Sequence, residues 1–313
     1  MLKNKLIPLI NPYKGLEDPK MPTSNKIEAK DYYKNLPAIE HETGDIWSGF
    51  PSWGMTDHTT TSAIVITPAC DLSQKKSETV TVLPIITITD YLYSKSFYSE
   101  LWNEFNSKLK DLERGDILPE SRFSNPPTSK LREVLNAIEG IAKQKKLHTQ
   151  LLAYIEYINY VETKAEERNQ NTAPNISNIL GAKKFSEILK KIFTNSYKSD
   201  IHFFPAYKNA GEFSAIPAHS VALFRYAHSV PIDILNAAQT SSDAWWEQDK
   251  KALTAQLPMI DNFKEWPIKL STLKDDFLSD LLSRYLGMFM RLGSRDFTEH
   301  TISGFVSELT GGN

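Results

Sequence analysis

Strand-like sequence arrives in two widely separated instalments, and that spacing limits the folds open to this chain. The segments "TGDIWSGFPSWG" (43–54), "AIVIT" (63–67) and "TVTVLPIITIT" (79–89) are apolar and β-branched, with turn residues between them. The second is a continuous apolar run, and the third begins with period-2 alternation. Pro68 and Pro84 are expected to mark a strand end and an edge or bulge position. From residue 91 to 199 the apolar period becomes helical, and β-like sequence returns only at "IHFFPAY" (201–207) and "GEFSAIPAHSVALFRYAHSVP" (211–231). Three strands alone leave exposed edges and little core. The later strands are therefore expected to complete the earlier sheet, with the helical stretch inserted between them.

The resulting division is an N-terminal arm (1–40) and a split β-domain (41–90 and 200–236). A helical insertion (91–199) and a C-terminal helical region (237–313) complete it. The arm has one short helix near "KIEAKDYYKNL". In the insertion, Leu92, Phe97, Leu101, Phe105, Leu109 and Leu112 recur at helical spacing in one amphipathic helix that Gly115 ends. Ser129 or Thr128 is expected to cap the next helix; "LHTQLLAYIEYINYVETKAEERNQN" and "GAKKFSEILKKIFTN" read as two more. "SDAWWEQDKKALTAQL" and "STLKDDFLSDLLSRYLGMFMRLGS" read as helices of the last region, the second apolar over a wide arc. There is no internal repeat.

Composition narrows the function classes. The 313 residues carry a net charge of −2, with 41% hydrophobic and 24% charged residues, as in an ordinary globular protein. No overall field draws the chain to nucleic acid or to an anionic membrane, so such binding needs a local patch. A single cysteine excludes an internal disulfide and fits a reducing cytoplasm. Pro8 and Pro12 interrupt the apolar N-terminal run, so no leader is expected, and no stretch has the length of a membrane helix. A cytoplasmic location is expected. "SGFPSWG" matches neither a dinucleotide nor a P-loop pattern, and no nucleophile elbow or kinase set occurs.

The strand sequences bear a resemblance. "GDIW", then "AIVIT", then "VTVLPIIT", with a later "IPAHSVALFRYAHSVPIDIL", resembles the PemK/MazF toxin family over about residues 43–90 and 200–236. That family pattern is a Gly-Asp pair opening strand one, an apolar second strand, and a strand ending Pro-Ile-Thr. Here the last reads Pro-Ile-Ile-Thr, one residue longer. The resemblance implies an α+β chain built on a small SH3-like β-barrel, interrupted by the helical insertion and followed by the helical region. It also implies metal-independent cleavage of single-stranded RNA, by an Arg before the second strand and the Thr that ends the third. Thr87 occupies the Thr position. The Arg position does not match, because "HTTTS" (58–62) precedes Ala63. A hydroxyl cannot do the work of a guanidinium on phosphate. The "PACDL" stretch is also similar to a bacterial group, with no settled function, in which a Cys-Asp pair follows the second strand.

Candidate chemistry follows from these positions. Cys70 reads as a small residue packed at a strand end, with Asp71 capping the turn; as a nucleophile it would need a nearby imidazole from His41, His58, His202, His219 or His228. His58 can act as acid or base. No paired His or Cys ligands occur at zinc spacing, so no metal and no cofactor is expected. Lys143, Lys145 and Lys146, with Lys183, Lys184, Lys190 and Lys191, are the densest basic clusters and the candidate contacts to RNA or DNA. Their acidic neighbours equally suit a solvated helix face. Tyr154, Tyr157 and Tyr160 share a helix face and read as core, and of Trp245 and Trp246 one is expected to be exposed. The reading preferred on sequence is a non-catalytic nucleic-acid- or protein-binding component of a bacterial toxin–antitoxin or phage-defence system, with a protein partner. The alternatives are an endoribonuclease using Thr87, His58 and a cation such as Lys75, Lys76 or Arg225, and a thiol-dependent hydrolase centred on Cys70.

Overall fold

The computed structural model describes residues 27–34, 36–56, 58–163, 173–207, 216–290 and 298–301. The first β-instalment gives β1 (Asp45–Pro51), β2 (Thr60–Val65) and β3 (Thr79–Thr87), with a short helix α1 (Ala69–Ser73) between the last two. Helices α2 (Ile88–Leu92), α3 (Lys95–Lys110), α4 (Thr128–Ile138), α5 (Lys145–Glu162), α6 (Ile176–Leu180) and α7 (Ala182–Phe193) follow. The second instalment gives β4 (Ile201–Phe204), β5 (Ser220–Leu223) and β6 (His228–Pro231), then helices α8 (Ile232–Thr240) and α9 (Trp246–Leu253). A last strand, β7 (Ile268–Thr272), precedes helix α10 (Asp275–Met290).

The fold is mixed α and β, and both β-instalments enter one antiparallel sheet in the order β4-β5-β3-β2-β1-β7. The strand that joins them is β3. One edge pairs with β2; the other pairs first with β6, at residues 79–82, and then with β5, at residues 85–87. Pro84, which has no N–H for the ladder, falls in the interval where that edge changes partner. The sheet is open: among the described residues no pairing joins β7 to β4, and the closed barrel implied by the resemblance is not seen.

Alternation places apolar side chains on both faces of the sheet. Trp47, Phe50, Ala63, Val65, Val80 and Val82 pack with Ile234 and Leu235 of α8, Trp246 of α9, and Phe263. From the other face Ile46, Ile64, Leu83, Ile85 and Phe204 pack with Tyr33, Leu273 and Leu281 of α10. The helices of the insertion join the sheet at its end, where Ile86, Ile201, Phe203 and Val221 share a core with Phe97, Leu101, Phe105 and Tyr154. At about 1.5–3 kcal/mol for each large apolar side chain buried, these three clusters hold the layers together.

Two glycines, one just before β1 and one within it, are required by geometry. Gly44 has φ +93°, and a Cβ there would meet Leu278 of α10 at 3.2 Å. Gly49 has φ +74° at an irregularity in β1, and a Cβ would lie 2.9 Å from the Trp266 carbonyl.

Several sequence expectations change. The region read as purely helical after residue 236 contains β7, which completes the edge beside β1. The helix expected over 90–115 is broken at Tyr93 and Ser94 into α2 and α3. The helix expected near residues 26–36 is one 3-10 turn, Ala29–Asp31. α4 starts at Thr128 after Pro127, without a side-chain cap.

Candidate functional site

Where β3 ends, its last residue caps the helix that follows. The Thr87 Oγ1 accepts from the Asp90 backbone N–H at 3.0 Å and donates to Asp90 Oδ2 at 2.7 Å. This is the Thr-x-x-acid pattern of a helix start, "TITD" at residues 87–90. The other carboxylate oxygen, Asp90 Oδ1, is 3.1 Å from His58 Nε2. His58 comes from the β1–β2 connection, so a loop, the end of β3 and the start of α2 supply one hydrogen-bonded set.

That connection is under strain. Trp53 (φ +47°) and Gly54 (φ +74°) are both left-handed, and Met55 N–H donates to the Ser52 carbonyl at 2.9 Å, closing the turn. Glycine suits such a turn; a bulky aromatic does not. The Trp53 ring stacks on His228 of β6, centroids 4.1 Å apart and planes 21° apart. The stack offsets the strain and fixes the loop that carries His58.

His58, Thr87 and Asp90 line a cleft of about 670 Å³, and Lys95, the exposed first residue of α3, lines it with them. Tyr93, Tyr98 and Tyr160 add ring surfaces. Burial raises the phenol pKa of Tyr93 and of Tyr98, so both remain hydrogen-bond donors. Chemically the cleft offers an imidazole oriented by a carboxylate, a cation and flat aromatic walls. It does not offer a Ser-His-Asp relay: the carboxylate stands between the imidazole and the hydroxyl, so His58 does not activate Thr87.

The other candidates lie elsewhere. Cys70 belongs to α1 rather than to a strand end, and it is exposed rather than packed. Its thiol lies 3.5 Å from Asp71 Oδ1. The imidazoles proposed for it have other partners or surroundings. His41 bonds Asn236 at 3.0 Å, the His219 ring accepts from Ala206 N–H at 2.9 Å, and His202 is buried in β4. Arg225 pairs with Asp200 at 2.6 Å. Lys75 lines a separate cleft beside His41. The cation that does line the His58 cleft, Lys95, was not singled out by sequence, nor was Asp90. The Thr-x-x-Asp pattern could have found Asp90; nothing in the sequence marks Lys95.

The basic clusters lie on separate elements. Lys143 lies in a 3-10 turn, Lys145 and Lys146 begin α5, and Lys183, Lys184, Lys190 and Lys191 are on α7. Lys184 pairs with Glu104 and Glu100 of α3. Burial raises the Glu104 pKa, but hydrogen bonds from Lys108 and Lys184 outweigh it and hold the carboxyl below its usual value. Tyr154 and Tyr157 are buried as expected, whereas Tyr160 is half-buried at the cleft wall. Trp246 is buried and Trp245 exposed. Among the described residues no group of His, Cys, Asp or Glu is placed to hold a metal, and no helix is long and apolar enough to cross a membrane. No protein-family model, curated protein or solved structure matches this chain.

Proposed function

We propose that the His58 cleft binds single-stranded RNA and cuts it without a metal. The observation that carries this reading is the Asp90-oriented imidazole in a cleft with a lysine and three tyrosine rings. Aromatic faces stack on unpaired bases of any sequence, and a lysine meets the backbone charge. His58 then takes the proton of a ribose 2′-hydroxyl, and the freed oxygen attacks the adjacent phosphorus. The bond from phosphorus to the 5′-oxygen breaks, and that oxygen takes a proton from water. Lys95 offsets the negative charge that develops on the phosphoryl oxygens.

The resemblance to the PemK/MazF toxins gives the same reaction class. It places the chain, as our proposal, among cytoplasmic bacterial toxin–antitoxin or phage-defence proteins with a protein partner. In this reading the open sheet is a diverged, interrupted form of their barrel.

A second reading, binding without catalysis, is favoured by a specific observation. The Thr87 hydroxyl is committed to Asp90, and no guanidinium precedes β2. One experiment separates the two: end-labelled single-stranded RNA incubated with the full chain in EDTA, beside His58→Ala purified identically. Cleavage that persists in EDTA and falls by about 10²-fold or more in the variant supports the first reading. RNA that is retained but intact supports the second. RNA that is neither cut nor bound removes both.

A further inference from the structure

The first turn of α3 has a second cleft beside it. Tyr93, Lys95 and Tyr98 line the His58 cleft, whereas Tyr91, Ser96 and Ser99 line another of about 740 Å³. Lys198, Asp200 and Arg225 contribute from the segments next to β4 and β5, and Arg122 and Phe123 from the connection after α3.

One polar group in this cleft lacks the partner its chemistry requires. The Lys198 ammonium donates to Ser99 Oγ at 3.0 Å and to the Ser96 carbonyl at 3.3 Å. No carboxylate of the described residues pairs with it within 4.0 Å. Burial lowers its pKa, and Asp200 and Glu100 reverse only part of that effect. A recessed cation with no carboxylate paired to it is costly, and native structures rarely keep one without a reason.

The remaining lining is suited to a nucleotide. Three cations, Lys198, Arg225 and Arg122, meet one carboxylate, Asp200, which Arg225 already engages. Phe123 is 57% exposed and presents a ring surface large enough to stack on a base. The volume lies within the range of small-molecule sites.

We propose that this second cleft binds a nucleotide through its phosphate, held by Lys198 and Arg225, with the base against Phe123. Phosphate oxygens supply the anion that Lys198 lacks. The nucleotide is either free or part of a strand that passes from the His58 cleft around the first turn of α3. Only the strand alternative rests on the RNA reading.

The test is calorimetric titration of the full chain with three probes: the four 5′-mononucleotides, the matching nucleosides, and a 2′-O-methyl octaribonucleotide that cannot be cleaved. Lys198→Met and the surface variant Arg225→Ala are titrated in parallel. Binding of a mononucleotide supports a free ligand, provided the nucleoside binds at least about tenfold more weakly and each variant costs about tenfold. Binding of the octamer alone, weakened by both variants, supports the strand. If no probe binds, or if both variants bind as the wild type does, the proposal is overturned. Whole RNA in the cleavage assay together with mononucleotide binding would sink the nuclease reading and leave this one standing.

Discussion

Two lysines withdrawn from water show opposite solutions to one problem. Lys269, on β7, has only 6% of its side chain exposed and lies 2.8 Å from Asp45 Oδ2, a carboxylate with no exposure at all. The carbonyls of Ala38 and Glu40 take two more of its donors, at 2.9 and 2.7 Å. The carboxylate is equally complete, accepting from Thr272 Oγ1 at 2.7 Å and from Glu42 N–H at 2.8 Å. Lys198 has a carbonyl and a hydroxyl but no paired carboxylate. The first arrangement joins β1 to β7 and has no capacity left for a ligand. The second is complete as a fold yet electrostatically unfinished, and an unfinished site is where a ligand can be bound.

The sharpest attack on this contrast is Asp45→Ala. It strands the Lys269 ammonium against β1, and breaking a buried pair from one side costs about 3–5 kcal/mol. Chemical denaturation should show that loss, with the midpoint displaced to much lower denaturant. A midpoint within experimental scatter of the wild type would mean that the pair does not hold the sheet edge.

His202 represents a third solution, giving up the charge. It is 1% exposed in β4, neither ring nitrogen has a hydrogen-bond partner, and Asp280 is 3.8 Å away. Burial, aided by the Arg284 charge, lowers its pKa from 6.5 to about 3. Between those two values the unfolded chain binds a proton that the folded chain refuses. Stability therefore falls as pH drops from about 6.5 to about 3, and levels off below. Integrated over that window, this one group removes on the order of 5 kcal/mol. Replacing His202 by Phe should flatten the acid limb of the stability–pH curve by that amount. An unchanged limb would assign acid sensitivity to other groups.

How much of this was legible follows from what each feature depends on. β1, β2 and β3 are marked by local alternation and turn residues, and the return of the chain to the same sheet follows from the need to cover strand edges. β7 is five residues between Pro267 and a strongly helical run, and its pairing with β1 is a tertiary choice that no local period records. Thr87 and His58 were visible as residue types, but the carboxylate between them was read as part of a continuous helix. Lys198 sits in "SYKSD", where nothing distinguishes it from a surface lysine. Its character comes entirely from what packs around it. Cys70 drew attention by its rarity, and rarity has no energetic meaning.

The cap that links Thr87 to Asp90 gives a smaller effect. Thr87→Val removes the side-chain acceptor at the start of α2 and should cost about 1 kcal/mol of stability. It also frees the carboxylate oxygen that faces the hydroxyl, without touching the one that faces His58. If His58 and Asp90 work as a pair, RNA cleavage in EDTA survives this change. Its disappearance would make the hydroxyl a participant and require a different chemistry.

The smallest change in stability is expected where the contrast began. Lys198→Met replaces the ammonium by an unbranched apolar chain of similar length, and so removes a penalty rather than an attraction. Ser96 loses one of its carbonyl's partners and Ser99 its hydroxyl contact, both near water, which limits the cost. The melting temperature should stay within a few degrees of the wild type or rise, opposite in direction to Asp45→Ala. A fall as large as that of Asp45→Ala would make Lys198 structural, and the difference between the two lysines would vanish. Added mononucleotide sharpens the result: it should raise the melting temperature of the wild type by mass action and leave that of Lys198→Met nearly unmoved.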